Sequence, residues 1–300
     1  MATGLSNYLD IVRDNLRLDP SSESEVINEL ECHIEDRLQE LKGASLSEEE
    51  ATSTCEKLLG SAKMVAHQIY EAHSQGTWKQ ALLASTPYLL FALNWWQGIT
   101  WLPIMLILVL GTTIYGWFRG KPTWLFPWLG YTLVPVVTAG LLLLYLPEGW
   151  TWLAILIYIP LALWFICTIT IQTIKRDWLF ASLMLLPVSI IIAWVLAVDP
   201  LGKLPAYWLE RINHLAPWIR LSFLALGLTV AAFVRLRQRW LRAALLIISG
   251  LLTLIMVTCY AEGRLNLPIF LALVAIMLGL LLIPAILERK IRYHRQRPPA

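Results

Sequence analysis

Residues 178–197 of the chain read WLFASLMLLPVSIIIAWVLA, a stretch without a single charged side chain. A helix crosses the hydrocarbon core of a bilayer with about 20 mainly apolar residues. Each residue of a helix rises about 1.5 Å, so a stretch of this length reaches about 30 Å. The sequence therefore predicts a transmembrane helix here and indicates an integral membrane protein.

Apolar stretches of similar length lie on both sides of this one. The predicted spans cover residues 81–97, 101–118, 124–146, 151–172, 178–197, 219–234, 243–261 and 267–287. Only 15% of the 300 residues are charged, against about 25% in an ordinary globular domain. We therefore predict an all-α, polytopic membrane helix bundle of about eight spans over residues 80–288. The first span is the weakest, because it is short and contains Pro87, Asn94 and Gln97; an interfacial or half-inserted segment is the alternative.

Basic residues are concentrated in alternate loops of this membrane domain. Residues 80–300 contain 17 basic residues, and 13 of them lie in three alternate loops and in the tail 289–300. Lys and Arg accumulate in short loops on the cytoplasmic side of a membrane. We therefore expect the C-terminus in the cytoplasm, and an even number of spans places the N-terminus there too. The opening residues, MATGLSNYLDIVRD, lack the basic and apolar regions of a signal peptide, in agreement with that expectation.

Residues 1–79 differ sharply from the rest of the chain. They contain 15 acidic and 7 basic residues, a net charge of −8, whereas the remainder carries +11. Apolar residues recur at helical spacing along this segment. Two capping-box patterns, Ser22 with Glu25 and Ser47 with Glu50, predict helix starts. We predict a small cytoplasmic bundle of three or four helices.

Residues 203–218, KLPAYWLERINHLAPW, are too polar to cross a bilayer. Their pattern predicts a short amphipathic helix that lies in the outer interface. Many of the 15 tryptophans lie close to predicted span ends, which is typical of the aromatic belts at headgroup level.

The predicted span cores contain no Lys, Arg, Asp, Glu or His; Asp177 and Arg220 lie only at span edges. Transporters coupled to ions and intramembrane enzymes normally use such groups, because a charge is expensive to bury in a membrane. The sequence contains no glycine loop for phosphates and no hydrolase motif. Its four cysteines match neither a disulfide framework nor a zinc site. We therefore expect a non-enzymatic protein without catalytic residues, metal or cofactor.

The segment EVINELECHIEDRLQELKGASLSEEEATSTCEKLLGSAKMVAHQIYEAH, residues 25–73, carries a family resemblance. Its features are the acidic helix Glu25–Asp36, the turn GASLSEEEA and the following Leu59–Gly60. It resembles the helical prefix domain of bacterial membrane proteins that are often encoded beside PadR-like transcription regulators (the permease-prefix or HTH-associated signalling type). The resemblance covers about residues 5–75, a quarter of the chain. It implies a bacterial cytoplasmic-membrane protein that senses or regulates, and it brings no catalytic residues.

Two charged surfaces are the candidate interaction sites. The candidate partner-binding face of the N-terminal domain consists of Glu29, Glu35, Asp36 and Glu40, for which a merely solvated face is the simpler interpretation. The candidate cytoplasmic basic face consists of Arg119, Lys121, Lys175, Arg176, Arg235, Arg237, Arg239, Arg242, Arg289 and Lys290. Membrane lipids with anionic headgroups are the expected partners of such a basic face, rather than nucleic acid. A further hypothesis is that the acidic N-terminal domain docks against these basic loops and the basic tail.

These observations predict a non-enzymatic membrane sensor or regulator. It would relay a membrane or partner signal through its cytoplasmic helices, for example to a PadR-like regulator. The alternative is a permease-like transport component, or an accessory subunit of a larger membrane complex.

Overall fold

The computed structural model describes residues 3–16, 18, 20–44, 46–73, 75–94, 102–143, 152, 154–198, 208–261 and 265–295. Within these ranges the chain is helical and contains no strand. It divides into two compact units, Met1–Gly76 and Thr77–Ala300, close to the predicted boundary after residue 79. The predicted basic tail 289–300 lies within the described residues only as far as residue 295.

The first unit contains helices α1 (Thr3–Leu16), α2 (Pro20–Gly43), α3 (Glu48–Leu59) and α4 (Ala62–His73). Their apolar faces enclose a core of their own, to which α1 contributes a stripe at helical spacing. The stripe consists of Leu5, Tyr8, Leu9, Val12 and Leu16. Packing of α1 against the other three helices places this stripe at the centre of the unit.

One of the two predicted helix starts is confirmed. The Ser47 side chain accepts a hydrogen bond from the Glu50 backbone N–H, and the Glu50 carboxylate accepts one from the Ser47 N–H, which completes a capping box before α3. The other prediction is wrong, because α2 begins at Pro20 and Ser22 lies inside the helix. Proline suits the first position of a helix, where the backbone N–H has no partner in any case.

The second unit contains α5 (Trp78–Asn94), α6 (Leu102–Phe118), α7 (Leu125–Leu143), α8 (Ile159–Ile174, extended at its start by the π-helical turn Ala154–Tyr158), α9 (Trp178–Val198), α10 (Trp208–Arg235), α11 (Arg239–Tyr260) and α12 (Leu267–Arg295). Five apolar segments in the described residues are long enough to cross a membrane: Ile155–Ile174, Trp178–Val198, Glu210–Arg235, Arg239–Tyr260 and Leu267–Ile291. Two shorter apolar segments lie in α6 and α7. The chain thus has the helices of a multi-pass membrane protein.

Helix α9, which contains the uncharged stretch 178–197, lies at the centre of this unit. It packs against α7, α8, α10, α11 and α12, and most of its side chains are buried. Gly130 of α7 permits a close approach, because a Cβ atom there would lie 2.8 Å from the Met184 carbonyl oxygen. The Ser182 hydroxyl donates to the Leu281 carbonyl at 2.8 Å and joins α9 to α12. Small residues and hydroxyl bonds of this kind hold helices together in membranes.

The weakest predicted span forms a helix that packs closely on α10. In α5, Tyr88 is fully buried beside Phe91, and both rings contact Phe223 of α10 at centroid separations of 6.4 and 4.1 Å. Pro87 lies inside the helix without ending it. Of the polar residues that weakened the prediction, Gln97 lies outside the described residues.

The prediction of a separate interfacial helix over residues 203–218 is wrong for residues 208–218, the part that the structure describes. Residues 208–218 begin the long helix α10, which continues through Pro217. The reason is the apolar face: Leu215, Ile219 and Phe223 recur every four residues across the proline and are all buried. Tertiary packing of this stripe compensates for the backbone hydrogen bond that proline removes.

The outer surfaces of α6 and α8 are strongly apolar. Ile107 and Phe118 of α6 and Leu156 and Trp164 of α8 are among the exposed side chains. Almost none of the apolar segment of α8 is buried within the chain. Such outward-facing apolar surface is what a lipid environment requires, because lipid tails are as apolar as the side chains.

Candidate functional site

Charged residues from several loops meet at one end of the membrane unit. The loop 119–124 contacts the loop 175–177, since the Arg176 guanidinium donates a hydrogen bond to the Lys121 carbonyl. The loop 236–238 and the flanking helix ends join them through the ion pair described next. We call residues 119–124, 175–178, 235–242 and 288–290 the charged end.

The ion pair between Asp177 and Arg239 is a largely buried charged contact of this end. Asp177 is 0% exposed, and Arg239 is 21% exposed. The guanidinium donates two hydrogen bonds to the carboxylate, at 2.8 and 2.7 Å, in the bidentate geometry that makes such pairs strong. The same carboxylate accepts the Leu179 backbone N–H at 3.1 Å and so caps α9. The pair therefore ties the start of α9 to the start of α11.

A second carboxylate lies at the start of α9. Glu288 of α12 is 5% exposed and accepts the Trp178 backbone N–H at 3.2 Å. A carboxylate is stabilised at a helix N-terminus by the free N–H groups and by the helix dipole. Neither Asp177 nor Glu288 was predicted as a site residue. A usable signal existed, because they are the two acidic residues that the sequence places beside the basic loops.

Lys121 is held in an unusual backbone conformation. Its φ of 57° lies in the left-handed region, which a residue other than glycine adopts infrequently. Its ammonium group donates to the Gln172 side-chain oxygen at 3.0 Å and lies 3.9 Å from the centre of the Trp117 ring. The neighbouring Arg176 lies over the Phe126 ring at 5.1 Å. Cation–π contacts of this kind turn both side chains toward the helices.

Two arginines of α10 and α11 also turn inward. Arg242 is 2% exposed, donates to the Leu236 carbonyl at 2.9 Å and lies 5.2 Å from the Phe233 ring. Arg235 lies 4.5 Å from the centre of the Trp78 ring. The second contact places the start of α5 at the charged end.

The eight helices that the structure describes in this unit alternate in direction relative to the charged end. Helices α5, α7, α9 and α11 begin there, and α6, α8, α10 and α12 end there. This up-and-down order follows from the same alternation of basic loops that the sequence shows.

The structure thus divides the ten residues of the predicted basic face into two groups. Five are exposed: Arg119, Lys175, Arg237, Arg289 and Lys290. Five are wholly or partly buried against other groups: Lys121, Arg176, Arg235, Arg239 and Arg242. The sequence pattern located these residues at one end but did not show that half of them hold helices together.

The four residues of the predicted acidic face all lie exposed on α2. A helix turns about 100° per residue, so Glu29, Asp36 and Glu40 share one face and Glu35 lies on another. Glu40 pairs with Arg37 at 2.5 Å, and the His33 ring lies 3.9 Å from the Glu29 carboxylate. Basic neighbours therefore interrupt this acidic face.

Within the described residues, no group of three or more His, Cys, Asp or Glu side chains is arranged to hold a metal ion. The four cysteines are unpaired thiols, of which Cys55 is buried. Comparisons of the chain with protein-family models, with curated proteins and with solved structures gave no match. The five long apolar helices in the described part of the chain define its class as a helical multi-pass membrane protein.

Proposed function

We propose that the chain is a non-enzymatic regulatory protein of the bacterial cytoplasmic membrane. It senses a change in the membrane or in a membrane partner and relays it through the N-terminal helices. The observation that carries this proposal is the Asp177–Arg239 ion pair, because it joins the central helix α9 to α11 at the end where the basic loops gather. The resemblance of residues 25–73 to the helical prefix domains of membrane proteins that are often encoded beside PadR-like regulators supports the same role.

A buried ion pair suits a switch. Burial of two charges gives little net stability, and such pairs are best attested where one arrangement of helices must be specified over another. A stimulus that separated Asp177 from Arg239 would release the start of α9, a helix against which five other helices pack. Local charge changes of this kind bias a packed element between two states.

We also propose eight spans, with both termini and the charged end in the cytoplasm. The alternating direction of α5 to α12 supports this topology, since each helix returns the chain to the opposite end. The concentration of Lys and Arg at one end supports its cytoplasmic side. Helices α5, α6 and α7 are short for a bilayer of about 30 Å, and local thinning or snorkelling side chains accommodate such spans.

The test is co-purification of the tagged full-length chain from its native membrane in mild detergent. A transcription regulator or kinase is expected to be recovered with it. Because Glu29 and Asp36 share one exposed face, the variant Glu29→Gln/Asp36→Asn should lower that recovery severalfold. Glu49→Gln is the matched control, since Glu49 is an exposed carboxylate on α3. Equal recovery with all variants, or recovery of membrane subunits alone, would contradict the regulatory role.

The second candidate is an accessory or assembly subunit, or a permease-like component, of a larger membrane complex. The observation that favours it is α8, whose apolar segment is almost entirely unburied within the chain. Another membrane subunit would cover this surface. The substitution Trp164→Ala, on the exposed side of α8, should then reduce stoichiometric recovery of that subunit, whereas a lipid-facing Trp164 should leave recovery unchanged.

A further inference from the structure

The turn between α6 and α7 has a backbone that only a specific environment maintains. Gly120 has a φ of 87° and Lys121 a φ of 57°, so two successive residues are left-handed. Glycine adopts this region freely, whereas lysine adopts it only at a cost in free energy. The hydrogen bond from Arg176 to the Lys121 carbonyl fixes the turn against the loop 175–177. Strained residues of this kind cluster at binding sites.

The turn gathers three cations that repel one another. Partial burial lowers the pKa of the Lys121 ammonium, and the nearby charges of Arg176 and Lys175 lower it further. A phosphate group bound beside these cations would reduce the cost of holding like charges close together in a partly buried place.

The turn lies at the level expected for lipid headgroups. It joins the apolar helices α6 and α7, and Trp117 and Trp124 flank it on either side. Tryptophan favours the boundary between hydrocarbon and water. The Trp117 ring beneath the Lys121 ammonium and the Phe126 ring beneath Arg176 orient both cations from the apolar side.

We propose that Lys121, Lys175 and Arg176 form a binding site for a phosphate group at headgroup depth. The phosphate belongs either to an anionic phospholipid or to a free phosphate ion, and both present the same oxygens to the three cations. Arg176 positions the turn through the Lys121 carbonyl, and Lys121 and Lys175 supply the charge. The ligand class of the membrane unit would thus be phosphate groups. This site does not depend on the regulatory role, because binding is measured on the purified chain.

The test uses the full chain in nanodiscs of phosphatidylcholine with a fixed fraction of phosphatidylglycerol, followed by native mass spectrometry of the retained lipid. We expect one phosphatidylglycerol to remain per chain. Lys121→Asn keeps a residue that tolerates the left-handed backbone but removes the charge. It and Lys175→Gln should each weaken retention about fivefold, the factor that corresponds to about 1 kcal/mol per basic residue. Lys121→Arg should restore retention.

Arg289→Gln and Lys290→Gln are the controls, because both residues are exposed basic groups of the same charged end. They should change retention by less than about twofold. Discs of phosphatidylcholine alone test the free ion. If inorganic phosphate protects the wild-type chain from thermal unfolding in these discs and does not protect Lys121→Asn, the site binds the free ion. An equal loss in controls and site variants, or no retention of lipid or phosphate, would overturn the proposal.

Discussion

Removal of the Arg239 guanidinium is the sharpest perturbation of the charged end. Arg239→Gln abolishes both charge-assisted hydrogen bonds to Asp177, whose carboxylate is fully buried. Loss of one partner from a buried ion pair costs about 3–5 kcal/mol. Because Arg239 is 21% exposed, water screens part of the interaction, and we expect a loss of about 2–3 kcal/mol of unfolding free energy. The assay is reversible unfolding by SDS in mixed micelles, followed by circular dichroism.

A double-mutant cycle separates the ion pair from other effects of the substitution. Asp177→Asn/Arg239→Gln removes both charges and keeps an amide that caps α9, so it should recover about 2 kcal/mol relative to the sum of the single variants. Arg289→Gln is the matched control and should stay within about 0.5 kcal/mol of the wild type, because Arg289 is exposed. A coupling energy near zero, or equal losses for Arg239→Gln and Arg289→Gln, would refute the reasoning.

The remaining predictions concern packing and pH. Gly130→Ala places a Cβ atom 2.8 Å from the Met184 carbonyl and should lower the unfolding free energy by about 1–3 kcal/mol, whereas Gly111→Ala, with nothing within 4 Å, should be neutral or slightly stabilising in the same SDS assay. The hydrogen bonds from Ser47 lower the pKa of Glu50 below its usual value of 4.5, so the stabilisation is fully present above that value and is lost as pH falls through the lowered pKa. Hydrogen exchange of the α3 amides in the full chain, corrected for intrinsic rates, should therefore increase in acid. Glu50→Gln should reduce this dependence on pH, whereas the control Glu49→Gln should not. If exchange in Glu50→Gln depends on pH as in the wild type, the pKa shift of Glu50 does not stabilise α3.

Apolar stretches and loop charges predict much of the membrane unit. The five helices that are long enough to cross a membrane all overlap predicted spans, because a run of about 20 apolar residues has few alternatives to a helix in lipid. The alternation of basic loops likewise anticipates the gathering of Lys121, Arg176 and Arg239 at one end. These features are local in sequence, and local pattern is sufficient to predict them.

Features that depend on tertiary contacts were not predictable. Pro217 marked the end of an interfacial segment in the sequence, yet the buried stripe that includes Ile219 carries α10 through it. The inward direction of Arg242 depends on the Leu236 carbonyl and the Phe233 ring, neither of which its own neighbours in sequence specify. A pattern of charges predicts the end of the bundle at which residues lie, but not which of them are buried.

The proposed topology places both the charged end and the N-terminal helices in the cytoplasm. Single-cysteine reporters test it in intact cells, with the native cysteines replaced by serine except where Cys32, which is exposed, serves as the N-terminal reporter. Cys32 and Arg237→Cys should react with a membrane-impermeant maleimide only after lysis, and Asn266→Cys, at the exposed position before α12, should react before it. Labelling of Arg237→Cys or Cys32 in intact cells, or protection of Asn266→Cys, would contradict the proposed orientation and with it the relay to a cytoplasmic partner.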